Sequence, residues 1–117
     1  MASQNEVKKY HSYLVDVMNS SFNTLHPKDH TFSDEELLQL RPEHLYRFLA
    51  MKAYGKPDPT DEDNPTEGRS NSLHYIKKAV SYFMPNKMME WNVDAETRNP
   101  TRSVIVNNLI KKVKKKK

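Results

Sequence analysis

Residues 33–55, SDEELLQLRPEHLYRFLAMKAYG, hold the densest helix signals in the chain and decide its fold class. Ser33 followed three residues later by Glu36 is a capping box, in which hydroxyl and carboxylate each satisfy a backbone N–H left over at a helix start. Phe32, just ahead, can staple onto Leu37, so a short helix is predicted to begin at Asp34. Arg41-Pro42 separates it from a longer helix, because proline suits a first helical turn but pushes the preceding residue out of helical geometry. The longer helix is predicted over Pro42 to Tyr54, burying Leu45, Phe48 and Leu49. Gly55 is its left-handed stop, with Pro57 just beyond.

Working outward, Val7, Tyr10, Leu14, Val17 and Met18 recur at three- and four-residue intervals, the stripe of a helix from about Asn5 to about Phe22. On the other side, Ser70 or Ser72 can cap a helix that turns Leu73, Ile76, Ala79, Val80 and Phe83 inward. Lys77 and Lys78 then face largely outward. Met84-Pro85-Asn86 ends this helix, and Met88, Met89 and Trp91 are expected across the end of the bundle. A last helix starts with Asn99 as cap and Pro100 at the first position, with Ile105, Val106, Leu109, Ile110 and Val113 as its apolar stripe. The lysines at its end favour the negative pole of the helix dipole.

With two glycines and no strict apolar-polar alternation, the periodic signal is helical. The expected fold is all-α, a compact bundle of four to five helices in one domain over residues 1–113. Residues 56–69, KPDPTDEDNPTEGR, form an acidic Pro-rich loop within it, either mobile or functional, and 114–117 a basic tail. The length of 117 residues and 36% hydrophobic content allow one modest core. The absence of Cys excludes disulfides and thiolate metal sites and suits a reducing intracellular compartment. MASQNEVKKY lacks the apolar run of a signal peptide, and no segment approaches the roughly 18 apolar residues of a membrane span, so a soluble protein is expected.

Charge is unevenly placed. Residues 69–117 hold twelve Lys and Arg against three Asp and Glu, a net of +9, while residues 1–68 hold seven against twelve, a net of −5. A basic half of this kind concentrates polyanions, of which nucleic acid is the commonest.

Catalytic patterns are sparse. Asp34, Glu35 and Glu36 resemble paired carboxylates, but acids in a first helical turn are accounted for by the helix dipole. His26 and His30 have a spacing seen in metal sites, yet Pro27 lies between them and HExxH is absent, so no metal site is expected. His11, His44 and His74 are scattered, and His74 could touch phosphate. Gly55 and Gly68 alone cannot build a phosphate loop.

Taken in order, PEHLYRFLAMKAYG, a linker, RSNSLHYIKKAVSYFMPN and NPTRSVIVNNLIKKVKKKK resemble the N-terminal core-binding, SAM-like domain of tyrosine recombinases. They are particularly similar to recombinase-like proteins encoded by mobile elements of algal, notably diatom, genomes. The resemblance covers residues 33–117. It implies a helical bundle forming half of a clamp on duplex DNA, with catalysis in a separate domain. The family's Arg, Lys, His/Arg and nucleophilic Tyr set has no counterpart here, so Tyr10, Tyr13, Tyr46, Tyr54, Tyr75 and Tyr82 read as packing residues and the chain as no enzyme.

The expected duplex-DNA contacts are Arg69, Ser72, His74, Lys77, Lys78 and Lys87, together with Arg98, Arg102, Lys111, Lys112, Lys114 and Lys115. The helix from Ser70 to Phe83 is the first choice as the groove-facing element, and the leading helix, with Lys8 and Lys9, the second. The alternative is a protein-interaction or oligomerisation module, self-associating through the C-terminal helix, whose Val104, Ile105 and Val106 make a wide apolar stripe. KKVKKKK resembles a nuclear import signal, which points to the nucleus. Cofactors, membrane and small-molecule substrates are not expected.

Overall fold

A computed structural model describes residues 3–60, 62–65, 70–85 and 99–115. In chain order the helices are α1 (Gln4–Phe22), α2 (Asp34–Leu37), α3 (Pro42–Tyr54), α4 (Ser70–Phe83) and α5 (Val104–Lys115), with a 3-10 turn at Pro100–Arg102 before α5. No strand occurs among the described residues, so the all-helical class is the one expected. The radius of gyration of 13.8 Å is close to the roughly 13.4 Å of a folded globule this long.

Local signals start and stop the helices. Ser3 Oγ accepts from Glu6 N–H at 3.2 Å to open α1, and Asn23 closes it in the left-handed region at φ 54°. The capping box at α2 forms in full: Glu36 N–H donates to Ser33 Oγ at 3.2 Å and Ser33 N–H donates to Glu36 Oε1 at 3.0 Å. Gly55, at φ 74°, closes α3 by donating to the Met51 carbonyl at 3.0 Å, where a side chain would be strained.

α3 is the centre of the bundle, in contact with α1, α4, α5 and the 3-10 turn. Leu45, Leu49, Ala50, Ala53 and Tyr54 are buried along it, whereas Phe48, expected inside, is only partly buried. α1 lies along α4, where Tyr10 packs against Tyr75 and Tyr82 with ring centroids 5.4 and 5.6 Å apart. Tyr10 is buried, and its hydroxyl donates to Glu6 Oε2 at 3.3 Å, so the ring fills the interface while its polar tip is satisfied.

The C-terminal helix departs from expectation in two respects. Asn99 does cap, but the segment it opens is a 3-10 turn, and Ser103, extended at φ −85° and ψ 156°, interrupts the chain before α5 begins. Val106, Leu109, Ile110 and Val113 are buried, whereas Ile105, expected in the stripe, is 40% exposed beside Val104 at 68%. The expected packing of Met88, Met89 and Trp91 lies outside the described residues.

At the start of α3, Arg41 N–H donates to Nδ1 of His44 at 3.0 Å, so His44 caps only while that nitrogen is unprotonated. Burial holds His44 below the usual histidine range; Glu43 opposes this, and Arg47 and Arg41 reinforce it. The unfolded chain therefore takes up a proton that the fold refuses. The stabilisation is full above the ordinary histidine range and is lost as pH falls through the lowered folded value. His44→Gln keeps an acceptor without the titration. Thermal melts from about pH 7 to about pH 5 should show the native chain losing a few tenths of a kcal/mol more than His44→Gln, about 1–2 °C after solvent screening. Parallel pH profiles would exclude this role.

Candidate nucleic-acid interface

α4 and α5, which pack on each other, read SNSLHYIKKAVSYF and VIVNNLIKKVKK; neither contains an Asp or Glu. α4 owes its orientation to the burial of Leu73, Ile76, Ala79 and Val80. That leaves His74 and Lys78, one helical turn apart, exposed on its outer line, with Ser72 exposed at its start. Tyr75 and Tyr82 form the edge toward α1, and burial, with Tyr10 and Glu6 second and third, pushes the Tyr75 hydroxyl up.

Lys77 is the main departure from the expected outward pair. It is half-buried on the edge of α4 facing α5, and its ammonium donates to Asn107 Oδ1 at 2.5 Å. Burial pushes it below the usual lysine range, and the neighbouring Arg102 adds to the shift. Lys77 thus ties α4 to α5. From Asn107, helical spacing carries the same stripe of α5 through Lys111 and Lys114, both exposed. Exposed Arg102 completes a basic band along the α4–α5 seam.

Lys112 turns elsewhere. Its ammonium donates to the Thr60 carbonyl at 3.0 Å and lies 5.8 Å from the centre of the Tyr54 ring. It pins the acidic loop to α5, where Asp63 closes a turn by accepting from Lys56 at 2.8 Å and from Thr60 N–H at 2.7 Å. The Lys56 hydrogen bond, then that of the Thr60 amide, holds the Asp63 carboxyl down to about 2. This part of the expected loop is built and braced. Arg69, Lys87 and Arg98 lie outside the described residues, as does the side chain of Lys115.

A shallow cleft of about 610 Å³ runs between α1 and α4, lined by Lys9, Ser12, Tyr13, Ser72 and Tyr75. It joins the first- and second-choice helices on one surface, a juxtaposition that only tertiary packing reveals. Away from this face, His26 and His30 stack with ring centroids 4.0 Å apart, and His30 Nε2 lies 3.4 Å from Glu36 Oε2. No described helix is long and apolar enough to cross a membrane. No family model, curated protein or solved structure matches the chain significantly.

Proposed function

We propose that this chain is a duplex-DNA-binding helical domain of the tyrosine-recombinase core-binding kind, without catalysis of its own and acting in the nucleus. The observation that carries the reading is the carboxylate-free pair α4 and α5. Basic side chains on these two helices meet phosphates without a repulsive charge on the helices themselves, and helices packed side by side follow a duplex backbone over several of them. Lys78, Arg102, Lys111 and Lys114 are the exposed cations of the band, with exposed His74 and Ser72 beside it. Lys77 acts by holding the two helices in register. The resemblance of residues 33–117 to the core-binding domain supports the same assignment.

If about four to six phosphates are engaged, log K should fall with log salt at a slope of roughly −4 to −5, each B-DNA phosphate giving about −0.9. Lys78→Ala with Lys111→Ala should make the slope shallower by roughly 2. Lys28→Ala with Arg41→Ala, which removes the same charge from the α1–α2 connection and the start of α3, should leave it nearly unchanged. Equal effects of the two pairs, or no binding to a short duplex at low salt, would defeat the proposal. Val104 and Ile105, exposed together on α5, favour a second reading as a self-association module. Sedimentation of the same samples distinguishes it: a concentration-dependent dimer without DNA binding would put that reading first.

A further inference from the structure

We propose that His26, His30 and Glu36 form a binding site for a divalent transition metal, Zn²⁺ on the chemistry of its donors, which staples the α1–α2 connection to the first turn of α2. The site is separate from the basic band and stands independently of the DNA-binding reading. One ligand atom from each of the three residues lies within 4.8 Å of the other two. Tetrahedral zinc with donors at about 2.0–2.2 Å places its ligands roughly 3.4 Å apart. The His30–Glu36 pair is already at 3.4 Å. Closing the widest gap takes about 1.4 Å, within reach of small side-chain rotations.

The surroundings orient each ligand. Pro27 does not prevent the pairing; it begins a turn, closed by His30 N–H donating to the Pro27 carbonyl at 3.0 Å, that folds His30 back onto His26. A single side chain of α1 grips the His26 backbone on both sides: Asn19 Oδ1 accepts from His26 N–H at 3.0 Å, and Asn19 Nδ2 donates to the His26 carbonyl at 3.1 Å. Phe32 meets both imidazoles edge-on, at 5.4 and 4.6 Å between ring centres. Glu36 uses Oε1 for the Ser33 cap, which aims Oε2 at His30. Such fixing of ligand orientation is what second-layer contacts supply in metal sites.

The donor set selects the metal class. Two imidazoles and one carboxylate suit borderline cations such as Zn²⁺, whereas Ca²⁺ and Mg²⁺ require mostly oxygen ligands. Three protein ligands leave a fourth position for water. The local fold also explains what a metal would add. The connection from Asn23 to Ser33 contains no helix, Leu25 within it is 98% exposed, and Phe32 is its only hydrophobic packed against the core. A metal bridging that connection to α2 supplies a crosslink that apolar burial does not.

The test uses the tag-free full chain, freed of metal with a chelator and titrated with ZnCl₂ by calorimetry, with CoCl₂ as a spectroscopic probe of geometry. A single saturable site is expected, with a four-coordinate Co²⁺ spectrum and a melting temperature that rises with Zn²⁺ and falls back with chelator. His26→Asn and His30→Asn should each weaken binding by at least about tenfold, and so should Glu36→Gln, whose amide oxygen keeps the Ser33 cap. Circular dichroism checks that each variant remains helical. His11→Asn with His74→Asn, removing histidines outside the cluster, should change nothing. Absence of saturable binding, or weak binding at several equivalents that survives the His26→Asn/His30→Asn double change, would overturn the site.

Discussion

Leu49→Ala should destabilise the domain by about 3–4 kcal/mol, within the range of about 2–5 for truncating a buried leucine. Leu49 is 0% exposed on α3, the helix that touches α1, α4, α5 and the 3-10 turn, so the lost methyl groups face a cavity bounded by several elements. Such a cavity cannot collapse by the movement of one neighbour, which places the cost above the bare transfer term. At about 4 °C per kcal/mol for a domain of this size, the melting temperature should fall by about 12–16 °C. Leu49→Met, which nearly conserves volume, should cost less than about 1.5 kcal/mol. Leu38→Ala, at a position 52% exposed, should cost less than about 0.5 kcal/mol. Urea denaturation followed by far-UV circular dichroism measures all three. A Leu49→Ala loss below about 1 kcal/mol would show that α3 is not the centre of the core.

The features legible in the sequence are those written in three or four adjacent residues. Ser33 and Glu36 form their capping box, Gly55 takes the left-handed stop, and Leu14 and Val17 of α1, Leu45 and Leu49 of α3 and Leu73 and Val80 of α4 are buried, with Val7 only partly so, because helix caps and helical periodicity depend on local geometry. What could not be read depends on partners far along the chain. Lys77 meets Asn107 and Lys112 meets Thr60, 30 and 52 residues away, and no spacing rule announces that either cation is engaged. The histidine cluster is local, within residues 26–36, and escapes for a different reason. The sequence shows His26 and His30 four apart with Pro27 between, which argues against a helical pair; the turn that Pro27 begins achieves the approach without a helix, and Glu36 arrives from α2. The exposed position of Ile105 is a matter of angle within α5: at about 100° per residue it lies roughly 90° from the centre of the stripe formed by Val106, Leu109, Ile110 and Val113, at the stripe's edge.

Asn99→Ala should destabilise by about 3 kcal/mol through a different mechanism, the orphaning of buried polar groups. Asn99 is 0% exposed, and its Oδ1 accepts from both the N–H and the hydroxyl of Thr101, at 3.0 and 2.6 Å, while Nδ2 donates to Ser81 Oγ at 2.9 Å. One side chain thus caps the 3-10 turn and ties it to α4. Loss of a cap costs about 1 kcal/mol, and leaving a buried donor without its acceptor costs about 1–3. Thr101 is itself 0% exposed, so water cannot replace the lost oxygen without opening the turn. Ser81→Ala alone removes only the link to α4 and should cost about 1 kcal/mol. Added to Asn99→Ala it should cost almost nothing, because its partner is already gone, and the double-mutant cycle should return a coupling of about 0.5–1.5 kcal/mol. Strict additivity of the two changes in urea denaturation would mean that the Asn99–Ser81 hydrogen bond does not hold the turn to α4. The start of α5 would then be positioned by the Lys77–Asn107 hydrogen bond and the burial of Val106, Leu109, Ile110 and Val113.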